Sequence, residues 1–166
     1  MIPDLGLVLR LSVMPGLYIL PPRMTSPDAV RMLLATGLQE SRFLHRRQIR
    51  GPARGFWQFE LGGVQGVAEH PASVDRLKAA QNVLGYRYAN SHSLYTAAEH
   101  NDALACVMAR LLLWRLPDPL PMVHEVDEAW SQYVRTWRPG KPHPETWPTM
   151  WAAACEAVAA YFPEEV

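Results

Sequence analysis

Glu40, Gln58 and Glu60, with Phe56 and Trp57 just before the glutamine, are the residues of this chain whose types and spacing can do chemistry. A glutamate in the last turn of a helix feels the negative end of the helix dipole, and a partly apolar surround disfavours its charged form. Such a carboxyl keeps its proton to higher pH than a free one, which suits a general acid working near neutrality. Gln58 both donates and accepts hydrogen bonds, and aromatic faces stack on sugar or base rings. Gly55 allows close backbone approach. An acid, an amide and aromatic faces together make a carbohydrate-binding set. The same residues have plainer readings. Glu40 can be a solvated helix-end side chain paired with an arginine, and Phe56 and Phe59 can be the core of a hairpin.

The elements that must position these residues are helices. Thr25-Ser26-Pro27-Asp28 reads as a helix start, with a hydroxyl cap, proline in the first turn and an early acid. Val30, Leu33, Leu34, Gly37 and Leu38 then mark one apolar stripe. Glu40 falls about 20° from Leu33 at 100° per residue and so borders the buried face. Residues 44–70 lack helical periodicity and hold six glycines and prolines at Gly51, Pro52, Gly55, Gly62, Gly63 and Gly66, which predicts a loop or small β-hairpin region. A short helix is expected after Ser73, ended by Gly85. Residues 102–115, "DALACVMARLLLWR", are apolar nearly all round and predict a central buried helix. Val126, Ala129, Trp130, Tyr133, Val134 and Trp137 form another stripe, closed by Pro139-Gly140, and a last helix is expected from about Trp147 to Tyr161. The expected class is all-α with at most a small β-hairpin lobe, a single compact helical domain around a buried central helix.

Composition agrees with a globular chain. Its 166 residues suffice for one domain with a real core, 49% are hydrophobic and 19% charged. Sixteen basic and sixteen acidic residues cancel, so the global charge predicts no polyanion partner. Locally, Arg42, Arg46, Arg47, Arg50 and Arg54 crowd one loop. Cys106 and Cys155 lie in apolar helical stretches and are expected as buried free thiols. The apolar start "MIPDLGLVLRLSVMPGLYILPPRM" lacks a basic n-region, carries Asp4 and Arg10, and is broken by Pro15 and Pro21. It fits neither a signal peptide nor a membrane span, and residues 1–24 are expected to be a strap packed on a domain formed by 25–166.

The motif "ESRF" at 40–43, followed by "GPARGFWQFE" at 51–60, resembles that of the lytic transglycosylases and goose-type lysozymes. In that family a helix ends in Glu-Ser-x-Phe, and after a variable loop comes Gly-Ala-x-Gly, two apolar residues and Gln. Further on, "AWSQYVRTWRPGKP" at 129–142 is similar to the family's Ala-Tyr-Asn-x-Gly-Pro-Gly segment, with Tyr133 at the tyrosine and Val134 where the family has asparagine. The set also resembles small lysozyme-like proteins of bacteriophages and prophages. The resemblance implies that Glu40 is the catalytic acid, that Ser41 and Gln58 orient the sugar or the acid, and that Tyr133 hydrogen-bonds the glutamate. It implies peptidoglycan as substrate, cut at the β-1,4 bond between N-acetylmuramic acid and N-acetylglucosamine. A transglycosylase needs one carboxylate, which afterwards takes the proton of the muramoyl C6 hydroxyl as an anhydro ring closes. A hydrolase normally uses a second carboxylate, for which Glu60 and then Glu69 are nearest. Trp57 and Trp137 are expected at the substrate. The arginine-rich loop would attract the peptide carboxylates of the wall.

The six histidines are scattered and no His-Glu-x-x-His or Cys-x-x-Cys motif occurs, so no metal and no cofactor are expected. The expected partner is the glycan strand of peptidoglycan, met by a monomer with no nucleic acid and no stable membrane insertion. Synthesis in a host cytoplasm without a signal peptide is expected, with action at the bacterial wall or periplasm, or carriage in a phage particle. Two other classes compete: a catalytically silent lysozyme-like structural protein of a phage particle, and a helical module that binds nucleic acid through the arginine-rich loop.

Overall fold

A computed structural model describes residues 2–163 of the chain. Among them the regular structure is entirely helical, with no strand. Helix α7 (Asp102–Trp114) lies at the centre, and its residues from Leu104 to Leu113 are all buried. This is the outcome expected for a helix apolar on every side. Around it stand α3 (Pro27–Ser41), α4 (Leu61–Glu69), α5 (Val74–Leu84) and α8 (Val126–Trp137), with α9 (Trp147–Tyr161) lying along α3. A short α6 (Ser91–Ala97) packs on α4.

The N-terminal residues form more than a strap. Residues 5–17 wind as α1 (Leu5–Val8), a π-helical turn (Leu9–Val13) and α2 (Met14–Leu17), followed by a 3-10 turn at Pro22–Met24. Leu9, Val13, Leu17 and Met24 are fully buried and belong to the same hydrophobic cluster that runs to Val158. Gly16 permits the contact between α2 and α7: a Cβ there would stand 2.6 Å from Cys106 Cβ and 2.8 Å from the Ala103 carbonyl oxygen. Met24 then caps a buried cation, because Arg110 Nε donates to its carbonyl at 2.7 Å. Burial lowers the Arg110 pKa to about 10.

Helix α3 begins as its sequence prescribes, with Ser26 Oγ accepting from Ala29 N at 3.1 Å and proline in the first turn. It ends at Arg42, in the left-handed region at φ 57°, with Phe43 following at φ 53°. This double reversal folds the Phe43 ring back over the helix. Gly37 makes the room, since a Cβ there would be 2.2 Å from Phe43 Cζ.

Residues 44–60 are irregular, as expected, and carry only two isolated antiparallel bridges, Arg47 to Arg54 and Arg54 to Phe59. The expectation of a loop through residue 70 is corrected by α4. Three glycines in "LGGVQGVAE" hide its period, while Val64 and Val67 supply the buried face. Helix α6 was likewise not anticipated. Ser73 precedes α5 as expected but makes no cap hydrogen bond; its hydroxyl donates instead to Val67 O at 2.7 Å. Cys106 and Cys155 are both free thiols, the first buried and the second only half-buried. Among the described residues no helix is long and apolar enough to cross a membrane.

Candidate active site

The ends of α3, α7 and α8 and the side of α4 enclose a cleft of about 1070 Å³. Glu40, in the last turn of α3, lies on its wall, and Gln58, Glu60, Tyr133 and Trp137 line it too. Glu40 is mostly buried. The Tyr133 hydroxyl donates to Glu40 Oε1 at 2.6 Å, across 93 positions of the chain. Burial raises the Glu40 pKa from its ordinary 4.5 to about 7. The tyrosine's hydrogen bond partly opposes that rise and the nearby charge of Glu60 adds to it. Burial and the adjoining carboxylate raise the Tyr133 pKa in turn, so its proton stays in place as the donor.

Tyr133 is fixed by an aromatic stack. Its ring packs nearly parallel to Trp147 at 5.1 Å and to Trp137 at 6.3 Å between centroids. Trp137 also donates Nε1–H to the Trp57 carbonyl at 2.9 Å, which ties the end of α8 to the loop carrying Gln58. Gln58 itself sits at φ 50°, an uncommon conformation for a side chain of its size. Its amide nitrogen donates to the Gly55 carbonyl at 2.8 Å. Gly55 is required at φ 73°, where a Cβ would meet the Ala98 carbonyl oxygen at 2.5 Å.

Two residues expected at the substrate stand behind the cleft instead. Trp57 is completely buried and donates Nε1–H to the Leu33 carbonyl at 2.9 Å, so its ring is core and presents no face to a ligand. Ser41 is buried as well. Its hydroxyl donates to the Phe56 carbonyl at 2.7 Å and accepts from Phe43 N at 3.1 Å, stapling the helix end to the loop. Glu60 is exposed in the cleft at the N-cap of α4, with its side chain free of any cap bond. Glu69 lies at the far end of that helix, exposed and away from the cleft lining.

None of the five loop arginines lines the cleft. Arg46 pairs with Asp102 at 2.7 Å and Arg54 with Glu99 at 3.0 Å, while Arg42 turns to the Met150 sulfur. The cations that do line it are Arg115, Arg138 and Lys141, none of which had been singled out by sequence. Gln39, for which the sequence pattern carries no signal, joins α3 to the 138–146 loop by accepting from Thr146 Oγ1 at 2.9 Å and donating to the His143 carbonyl at 3.2 Å. The sequence holds one signal for Arg115 and Arg138, since each stands just before a proline that stops a helix, where a cation suits the negative end of the helix dipole. Among the described residues no three His, Cys, Asp or Glu side chains come together as a metal site would require.

This arrangement can perform general acid chemistry. It has a carboxyl that is half protonated near pH 7, a neutral donor that orients it, and a second carboxylate lining the same cleft. No protein-family model, curated protein or solved structure matches the chain.

Proposed function

We propose that the protein is a lysozyme-like enzyme that cuts the β-1,4 bond between N-acetylmuramic acid and N-acetylglucosamine in peptidoglycan, and that it is of phage or prophage origin. The observation that carries the proposal is Glu40: a cleft-wall carboxyl with a pKa near 7, held by Tyr133, at the head of the Glu-Ser-x-Phe motif. Protonated Glu40 gives its proton to the bridging oxygen as the bond opens through an oxocarbenium-like state. Trp137 offers an aromatic edge to a sugar and Gln58 an amide.

Two outcomes follow from what then captures the cation. If the muramoyl C6 hydroxyl does so, ionised Glu40 takes its proton and an anhydro sugar results. If water does so, Glu60, the other carboxylate of the cleft lining, is the candidate to assist it. Mass spectrometry of fragments released from purified peptidoglycan distinguishes the two. Reducing-end products that vanish in Glu40→Gln and fall sharply in Glu60→Gln identify a hydrolase; anhydro products indifferent to Glu60→Gln identify a transglycosylase. No release by the unmodified protein refutes the proposal and favours a silent lysozyme-like particle protein. Two of the five loop arginines are already paired with acids, which leaves less free charge in the loop for nucleic acid.

A further inference from the structure

The cleft holds charge that acid catalysis at Glu40 leaves unused. Three permanent cations line it, Arg115, Arg138 and Lys141, against two carboxylates, Glu40 and Glu60. In a chain of zero net charge this excess is local. Other arginines near acids are neutralised, as Arg135 is by Asp118 and Glu128. Among the described residues none of the three cleft cations has a carboxylate partner.

Their placement is structural. Arg115 is the C-cap of α7 and Arg138 the C-cap of α8, so two helices end at the cleft. Helix C-termini favour cations. Arg115 is half-buried, and its Nε is buried without a hydrogen-bond partner. Its guanidinium lies against the backbone of α4 at Gly66, where a Cβ would come within 3.0 Å of Nη1. A glycine at this point leaves the planar group room to reach the cleft. One turn earlier, the Cβ position of Gly62 has nothing within 4 Å, so that side of α4 is open wall.

A neutral sugar chain has no use for three unpaired cations. A glycan bearing peptides does, because each peptide stem is attached through the lactyl ether of the muramic ring, the ring whose glycosidic bond breaks. Its carboxylates therefore leave the strand close to Glu40. We propose that Arg115, Arg138 and Lys141 form an anion-binding wall for stem-peptide carboxylates, so that the cleft selects peptide-bearing strands over bare ones. Arg115, with its planar fork of donors, takes a carboxylate in bidentate fashion, and Arg138 and Lys141 add exposed charge at the rim.

This inference rests on the glycan-cleaving reading, and its test separates the two. The Glu40→Gln protein is titrated calorimetrically with a glycan tetrasaccharide carrying free-acid tetrapeptide stems, and with the same compound after its carboxylates are converted to methyl amides. The free acid is expected to bind about tenfold more tightly, the scale of one charge-assisted hydrogen-bonded contact. That preference is expected to shrink when Arg115→Gln is added. Lys141→Gln, in an exposed loop, provides the second variant if the first does not fold. Equal affinity for the two probes, or none for either, overturns the anion wall while wall cleavage by the unmodified protein still supports the enzyme. Absence of both binding and cleavage overturns the two together.

Discussion

Glu40 is held in a state that is unfavourable for the folded protein and useful for an acid. Its folded pKa of about 7 lies above the ordinary 4.5, so the native state binds this proton more tightly than the unfolded chain does. The stability that the proton brings is fully present below pH 4.5 and is lost as pH rises through about 7. Glu40→Gln removes the burden of the buried charge and still accepts from Tyr133. It is expected to unfold with more difficulty than the unmodified protein at pH 8, by on the order of 2 kcal/mol, and with no such advantage at pH 4. Urea unfolding at the two pH values checks this. In the proposed enzyme Tyr133 is a positioning residue that acts through Glu40. Its hydrogen bond lowers the Glu40 pKa, so Tyr133→Phe should move the alkaline limb of the pH–rate profile to higher pH as well as lowering kcat. A variant that merely loosened the fold would lower activity without moving that limb.

At the scale of elements, the site is made by a helix that ends in a tight reversal and a loop stapled to it. Gly37, Phe43, Ser41 and the Phe56 carbonyl form that joint. Gly37→Ala is expected to cost about 1–3 kcal/mol by forcing the Phe43 ring off α3, and to reduce activity because the displaced turn carries Glu40. Ser41→Ala leaves the buried Phe56 carbonyl without its donor, at a cost of about 1–3 kcal/mol. Thermal unfolding reports both. Much of this architecture was legible in local sequence. The Ser26 cap, the apolar stripe of α3 and the all-round apolar α7 are signals carried within one element, and the structure has them where the pattern places them. Helix α4 was not legible, because its glycines on the cleft side imitate a loop. Whether an aromatic faces ligand or core was not legible either: Trp57 and Trp137 both look available in sequence, and only the fold, which buries Trp57 completely and leaves Trp137 in the cleft lining, separates them. Ion pairing is non-local too: the acids that neutralise Arg46 and Arg54 come from residues 99–102, so sequence does not show that the free cations of the cleft stand at the helix ends instead.

At the scale of the molecule, the cleft depends on a core to which the first 24 residues contribute. Leu9, Val13, Leu17 and Met24 are each fully buried. At roughly 1.5–3 kcal/mol apiece, their loss would consume most of a typical domain's stability of about 5–15 kcal/mol. Removing residues 2–24 is therefore expected to yield no soluble folded protein by circular dichroism, rather than a trimmed active enzyme. The same wholeness links the distant parts of the site, since α3 supplies the acid, α8 its tyrosine, and α7 and α8 the cations at their ends. The most direct test of the account is the rate at which soluble fragments are released from purified peptidoglycan by the unmodified protein and by Glu40→Gln across pH 5–9. The account predicts release that declines as pH rises through about 7 and that falls by roughly 10²–10⁴-fold in the variant. Release that is equal in the two proteins, or absent from both, would contradict it.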